Sequence, residues 1–190
     1  MPATAALPIR SLLLAMSLAL AGCGFQLRGQ APVPNAIEPL AVECSDSVPL
    51  ALCESVRDQL ALGDIKLVEP AEAAYLLRLD RFSEQRRASA ITLQAAAAEY
   101  DLRQSVSLSV ISADQVPLVA AAQVTSSDTY SYDEANVLAK RREEQEVRTD
   151  LYQRLAQQVI FRLAPLDSER IRTLRAAHQD DDSAPAGSQQ

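Results

Sequence analysis

Three cysteines, one histidine and two short basic clusters carry most of the chemistry open to this chain. The thiols are Cys23, Cys44 and Cys53; the cationic clusters are Lys140-Arg141-Arg142 and Arg81, Arg86 and Arg87. A thiolate can act as a nucleophile, pair into a disulfide or ligate a metal. Guanidinium and ammonium groups meet phosphate through charge-assisted hydrogen bonds. What catalysis needs is missing. The sole histidine, His178, stands in a polar C-terminal stretch, and no nucleophile elbow, phosphate loop, HExxH motif or dinucleotide-binding glycine pattern occurs. Glu143, Glu144 and Glu146 lie beside residues 140–142, where ion pairing on a solvated helix is the ordinary outcome. The expectation is a binding protein, not an enzyme. A metal site is not expected either, since two thiols without further soft ligands do not complete a tetrahedral zinc site.

Cys23 has a context of its own. Arg10 is followed by the apolar run Ser11–Leu20 and then by Leu20-Ala21-Gly22-Cys23, the order of charged region, short apolar region and small-residue cleavage site found in a secretory signal. The box resembles the site where bacterial lipoproteins are acylated and cut. That predicts a signal peptide over 1–22 and a mature chain starting at Cys23, which bears N-acyl and S-diacylglycerol lipid and no other cofactor. Gly24 follows, not Asp, which by resemblance to lipoprotein sorting directs the anchor to the periplasmic face of the outer membrane. With Cys23 consumed, Cys44 and Cys53 remain as an even pair in an oxidising compartment and are expected to form a disulfide. Closing so short a loop is worth about 3 kcal/mol in the chain-entropy account. The chain has 18 basic and 25 acidic side chains. Removing 1–22 takes only Arg10 from these and leaves a charge of −8, which argues against a nucleic-acid partner.

The remaining residues must position these groups. Residues 23–36 read as an extended Pro-containing leader. Ile37–Glu43 reads as a strand and residues 48–62 as an amphipathic helix on Leu52, Cys53, Val56 and Leu60, with N-cap candidates at Ser45-Asp46-Ser47 and a stop at Gly63. Ile65–Val68 is a possible short strand, and Tyr75–Phe82 a further one. Asp101–Val110 has the clearest alternation: Leu102, Val106, Leu108 and Val110 inward, with Asp101, Arg103, Ser105, Ser107 and Ser109 solvated. Val116–Tyr130 follows as another strand after a turn at Ser112-Ala113-Asp114. Ala95–Ala98 fits a helix or a hairpin tip. A helix from Glu134 to Leu163, capped by Asp133 and ended by Pro165, carries the stripe Val147, Leu151, Leu155, Val159 and Leu163. Its turn at 140–146 is polar all round and should project past the core into water. This order predicts an α+β two-layer sandwich over 37–165, two helices packed on a small mixed, mainly antiparallel sheet. Residues 166–190 form a C-terminal extension, expected to lack regular structure from about 178 because no apolar residue larger than Ala or Pro occurs there.

Cys23-Gly24-Phe25-Gln26-Leu27-Arg28-Gly29 is similar to the mature N-terminus of the LptE family, which shows Cys-Gly-aromatic-x-Leu-Arg. Val56-Arg57-Asp58-Gln59-Leu60, Ala98-Glu99-Tyr100, Ala139-Lys140 and Leu151-Tyr152-x-Arg154 resemble further family patterns in the same order, so the resemblance spans residues 23 to about 165. It implies two helices on a small mixed sheet. It also implies a lipoprotein that plugs and helps assemble the LptD β-barrel and binds lipopolysaccharide during delivery to the cell surface. The implied partners are an LptD-like barrel, lipopolysaccharide and, through the anchor, the inner leaflet of the outer membrane. Lys140 matches a basic family position. A second family basic residue lies in the hairpin loop, where this chain reads Ile91-Thr92-Leu93-Gln94-Ala95 without charge, leaving Arg86 or Arg87 to take its place. The expected lipopolysaccharide contacts are therefore Lys140, Arg141, Arg142, Arg86 and Arg87. The alternative is a lipoprotein adaptor of another envelope machine, in lipid transport or peptidoglycan-synthase activation.

Overall fold

Leu102, Val106, Leu108 and Val110 share one face of a long central strand and are buried, and the rest of the fold is assembled over them. The structure, a computed structural model, describes residues 33–91, 97–133 and 136–183. Strand β1 (Leu40–Cys44) is followed by helix α1 (Leu50–Leu62), then β2 (Tyr75–Ile91), β3 (Ala97–Ser112), β4 (Pro117–Ser131), α2 (Val137–Leu163) and α3 (Ser168–Ser183). The sheet order is β1-β2-β3-β4, with β1 parallel to β2 and the other pairs antiparallel. Leu52, Val56 and Leu60 of α1 and Leu155, Val159 and Leu163 of α2 pack on one face of the sheet against Leu77, Leu79, Val106, Leu108 and Val110. Each such buried aliphatic side chain contributes about 1.5–3 kcal/mol. This is the α+β layering expected from the element order, with three helices instead of two. Ile65–Val68 contributes only one bridge, Leu67 with Leu40, and is not a strand of the sheet.

Cys44 at the end of β1 and Cys53 in the first turn of α1 are joined by a disulfide. Neither Ser45, Asp46 nor Ser47 caps the helix. Pro49 takes the N-cap position, and Ser45 donates instead to Asp80 at 2.9 Å. At the other end Gly63 closes the helix as its C-cap, as expected, with φ −88°, and Asp64 after it takes the left-handed φ of 60°.

Strand β2 runs nine residues beyond the expected Phe82, to Ile91. Pairing with β3 carries it on through a bulge: Asp80 pairs with Ser107 and Ser83 with Ser105, so three steps on β2 match two on β3, and Arg81 takes φ 51°. The extra residue reverses parity. Tyr75, Leu77 and Leu79 face the helices before it, and Phe82, Glu84 and Arg86 after it. The longer strands change the start of α2. That helix begins at Val137, with Asn136 at the N-cap instead of Asp133, and one side of its polar turn, Lys140 and Glu144, lies against the strand ends while Arg141, Arg142, Gln145 and Glu146 are exposed as expected.

Two further expectations are corrected. Ser105 and Ser107 do face away from the helices, but each is only 8% exposed because neighbouring strands cover them. Ser105 shares a 2.9 Å hydrogen bond with Ser83 and accepts one from Gln123. The C-terminal extension is helical to Ser183, past the expected limit at 178. Asp167 caps the Arg170 N–H at 2.8 Å, and Ile171 and Leu174 dock on the core, so the helix is nucleated upstream and its polar end follows. The free edge of β4 is blunted: Gln158 donates to the Thr125 carbonyl at 3.0 Å, and the Asp128 carboxylate takes the Thr129 N–H. Residues 1–32 with Cys23, residues 92–96 and Glu134 lie outside the described residues; Ala97 and Ala98 belong to β3. The end of the expected extended leader instead buries Val33 and forms a short 3-10 turn over Asn35–Ile37, so that β1 starts at Leu40 and not at Ile37.

Candidate functional site

Past Phe82 the apolar core of the helix layer, among the described residues, is reduced to a small cluster of Leu102, Tyr130 and Leu151 flanked by Tyr100 and Val147. Charged groups hold the first half of α2 to the sheet. Arg148 is the hub. Its Nε lies 3.0 and 3.1 Å from the two oxygens of Glu84 on β2, and another guanidinium nitrogen is 2.9 Å from Glu144 one turn back. Glu84 also accepts from Gln104, which is fully buried on the core face of β3. Glu144 accepts from the Tyr130 hydroxyl at 2.8 Å and pairs with Arg86 at 3.4 Å. Two arginines and two glutamates thus form a neutral brace between α2 and β2.

The electrostatics follow from this packing. Burial pushes the Glu144 carboxyl up, but the Tyr130 hydroxyl and Arg148 outweigh it and hold its pKa below the usual carboxylate value. The Glu84 carboxylate, followed by Glu144, raises Arg148 against its own desolvation. Tyr130 is pushed up chiefly by burial. Hydrogen bonding with Tyr130 raises Arg86.

The five expected cationic residues do not form one cluster. Lys140 lies one turn before Glu144, reaching Ser131 at the end of β4 at 2.6 Å and Glu143 at 2.7 Å. Its ammonium has three donors and these contacts use two. Arg86 sits across Glu144 from it, its guanidinium 4.6 Å from the centre of the Tyr100 ring. Tyr100 in turn stacks on Tyr130. Lys140 and Arg86 therefore converge on one end of the helix layer. Arg141 and Arg142 are exposed beside them and have no ion pair among the described residues. Arg87 is different, because successive strand residues alternate faces. It points to the open face of the sheet, donates to Gln85 at 2.9 Å, and is separated from Arg86 by the sheet itself. Within one turn of Lys140 the helix surface turns apolar: Leu138 is 79% and Val137 38% exposed.

The brace was missed by sequence reasoning. One signal for it was present, a polar Gln104 between Leu102 and Val106 on the inward face of the best alternating strand. The spacing of Glu144 and Arg148 was a second.

Residues 37–163 match the model of LptE, lipopolysaccharide-assembly. The chain belongs to the LptE family. Among LptE relatives it is 32% identical over 157 residues to the LPS-assembly lipoprotein LptE of Pectobacterium atrosepticum, covering 80% of this chain and 83% of that protein. It is also 32% identical over 170 residues to the protein of the same name from Yersinia pestis strain Pestoides F, covering 86% and 79%. The solution structure of lipoprotein B from Nitrosomonas europaea superposes with a TM-score of 0.62 at 19% identity, over 79% of this chain and 96% of that one. A minor lipoprotein from Acinetobacter baumannii gives 0.56 at 20% identity, over 66% and 90%. At these identities the structures show a shared fold. The region matched to LptE contains the brace, Lys140 and Arg86, and ends before α3.

Proposed function

We propose that this LptE-family protein is held on the periplasmic face of the outer membrane by lipid on Cys23. There it plugs and helps assemble an LptD-like β-barrel and binds lipopolysaccharide through the Lys140–Arg86 end of the helix layer. The observation that carries the binding role is the pairing of unlike chemistries at that end. Lys140 and Arg86 retain spare donors, Arg141 and Arg142 add charge without an ion pair among the described residues, and Val137 and Leu138 expose apolar side chains within one turn of Lys140. A ligand with phosphates next to hydrocarbon matches both. The brace supports the reading by holding the helix start against the sheet, so the cations are presented with little ordering cost on binding. The plugging role is supported by family membership.

The binding role is tested with Lys140→Gln and Arg86→Gln combined. These neutral amides keep hydrogen-bonding reach and avoid placing a new carboxylate beside Glu143 and Glu144. Loss of two charge-assisted contacts should weaken lipopolysaccharide binding about tenfold or more, with circular dichroism unchanged. Equal affinity in a folded double variant would remove the site from this end of the molecule.

A further inference from the structure

Arg87, turned away from the helix layer, belongs to a different constellation. The register sets Ser83, Ser105 and Thr125 in a row across β2, β3 and β4, with Gln85 opposite Arg103 and Arg87 opposite Asp101 on the same face. The three small hydroxyl residues form a floor, and the longer Gln85, Arg87, Arg103 and Gln123 stand around it, enclosing a hollow of about 360 Å³. Such a volume is at the lower end of small-molecule sites. No apolar side chain lines it.

None of the charges in the hollow is in an ion pair among the described residues. Arg87 donates to Gln85, Arg103 has no ion pair among the described residues, and no ion pair forms between Arg87 and Asp101 although they are directly opposite. Arg87 and Arg103 are diagonal cross-strand neighbours, a relation that sets side chains roughly 7–8 Å apart, within reach of one bridging anion. Among the residues lining the hollow, two guanidiniums stand against one carboxylate, Asp101, with Glu99 at its margin as the next residue of β3 on that face. Neutral hydroxyl and amide groups with paired guanidiniums, and no apolar wall, fit a sugar bearing phosphate and do not fit an acyl chain.

We infer that the open face of the sheet carries a second site, centred on Arg87 and Arg103, for the phosphorylated oligosaccharide part of the lipopolysaccharide. It is distinct from the Lys140–Arg86 end, where lipid-bearing phosphate would bind. The inference rests on the lipopolysaccharide reading above. It divides the amphiphile between the two faces of one sheet, with β2 contributing Arg86 to one and Arg87 to the other.

The test uses the full processed protein extracted in detergent and three probes: deacylated phosphorylated core oligosaccharide, the same oligosaccharide after phosphatase treatment, and lipid A. Variants are Arg87→Gln/Arg103→Gln and Lys140→Gln/Arg86→Gln. The first pair should weaken binding of the phosphorylated oligosaccharide about tenfold or more while leaving lipid A binding unchanged. The second pair should do the reverse, and phosphatase treatment should reproduce the loss seen with the first. If the Arg87/Arg103 variant binds the phosphorylated oligosaccharide as wild type does, the inference fails. It also fails if that variant keeps the oligosaccharide but loses capture of a β-barrel protein, since the hollow is then a protein contact. Failure of wild-type protein to bind intact lipopolysaccharide or lipid A would instead overturn the functional reading on which the inference rests.

Discussion

Cys23→Ala should leave an uncleaved precursor or a soluble protein, with no acylated form at the outer membrane. The argument is chemical: only a thiol in that box can take the diacylglycerol, and processing at Gly22-Cys23 follows acylation in the lipoprotein pattern this sequence resembles. One acyl chain gives marginal membrane binding and several give stable anchoring, so losing the thiol removes the whole anchor and not a fraction of it. Metabolic labelling with palmitate and membrane fractionation check this directly. Normally sized, labelled and membrane-bound protein from the alanine variant would refute the anchor.

Arg148→Met should destabilise the folded protein by about 2–3 kcal/mol at neutral pH. Methionine keeps the side-chain stem and removes the charge, leaving Glu84 half-buried without its cation and Glu144 with only Arg86, at 3.4 Å. Their side chains are 27% and 20% exposed in the intact protein, so solvent reduces the cost below that of a fully buried broken pair. The sign of the pH dependence separates this cause from lost packing. In the intact protein Glu144 has a pKa below its ordinary 4.5, so its contribution is present above that value and is lost as pH falls through the folded-state pKa. In the variant Glu144 has lost Arg148, one of the groups that hold its pKa down, so less stability is lost on acidification and the gap between variant and wild type narrows. Urea unfolding at pH 7 and near pH 4 measures both. An equal deficit at the two pH values would mean that Arg148 acts through packing and not through charge.

Much of the architecture was legible because apolar periodicity reports burial directly. The alternation of Leu102, Val106, Leu108 and Val110 marked β3, and the stripe Leu151, Leu155, Val159 and Leu163 marked the second half of α2. The two expected layers follow from these. The distal half was harder to read because no apolar pattern marks it. Residues 83–91 of β2 are strand through pairing with β3, and their polar side chains meet partners that a local window does not contain. Glu84 and Arg148 are 64 residues apart, so the turn at 140–146 read as a solvated face although its Glu144 is bound to β2 and β4. The basic residues failed for a related reason. Arg86 and Arg87 are adjacent in sequence and opposite in space, which could be deduced only once β2 was known to continue past Arg81. The end of α3 was missed because its polar residues 178–183 are carried by a cap and an apolar pair that precede them.

Affinity purification of the tagged full-length protein from cell envelopes tests the central claim most directly. The account predicts that a large β-barrel protein co-purifies in stoichiometric amount and that lipopolysaccharide accompanies the pair. Recovery of a lipid-transport or peptidoglycan-synthesis assembly in place of any barrel would contradict it.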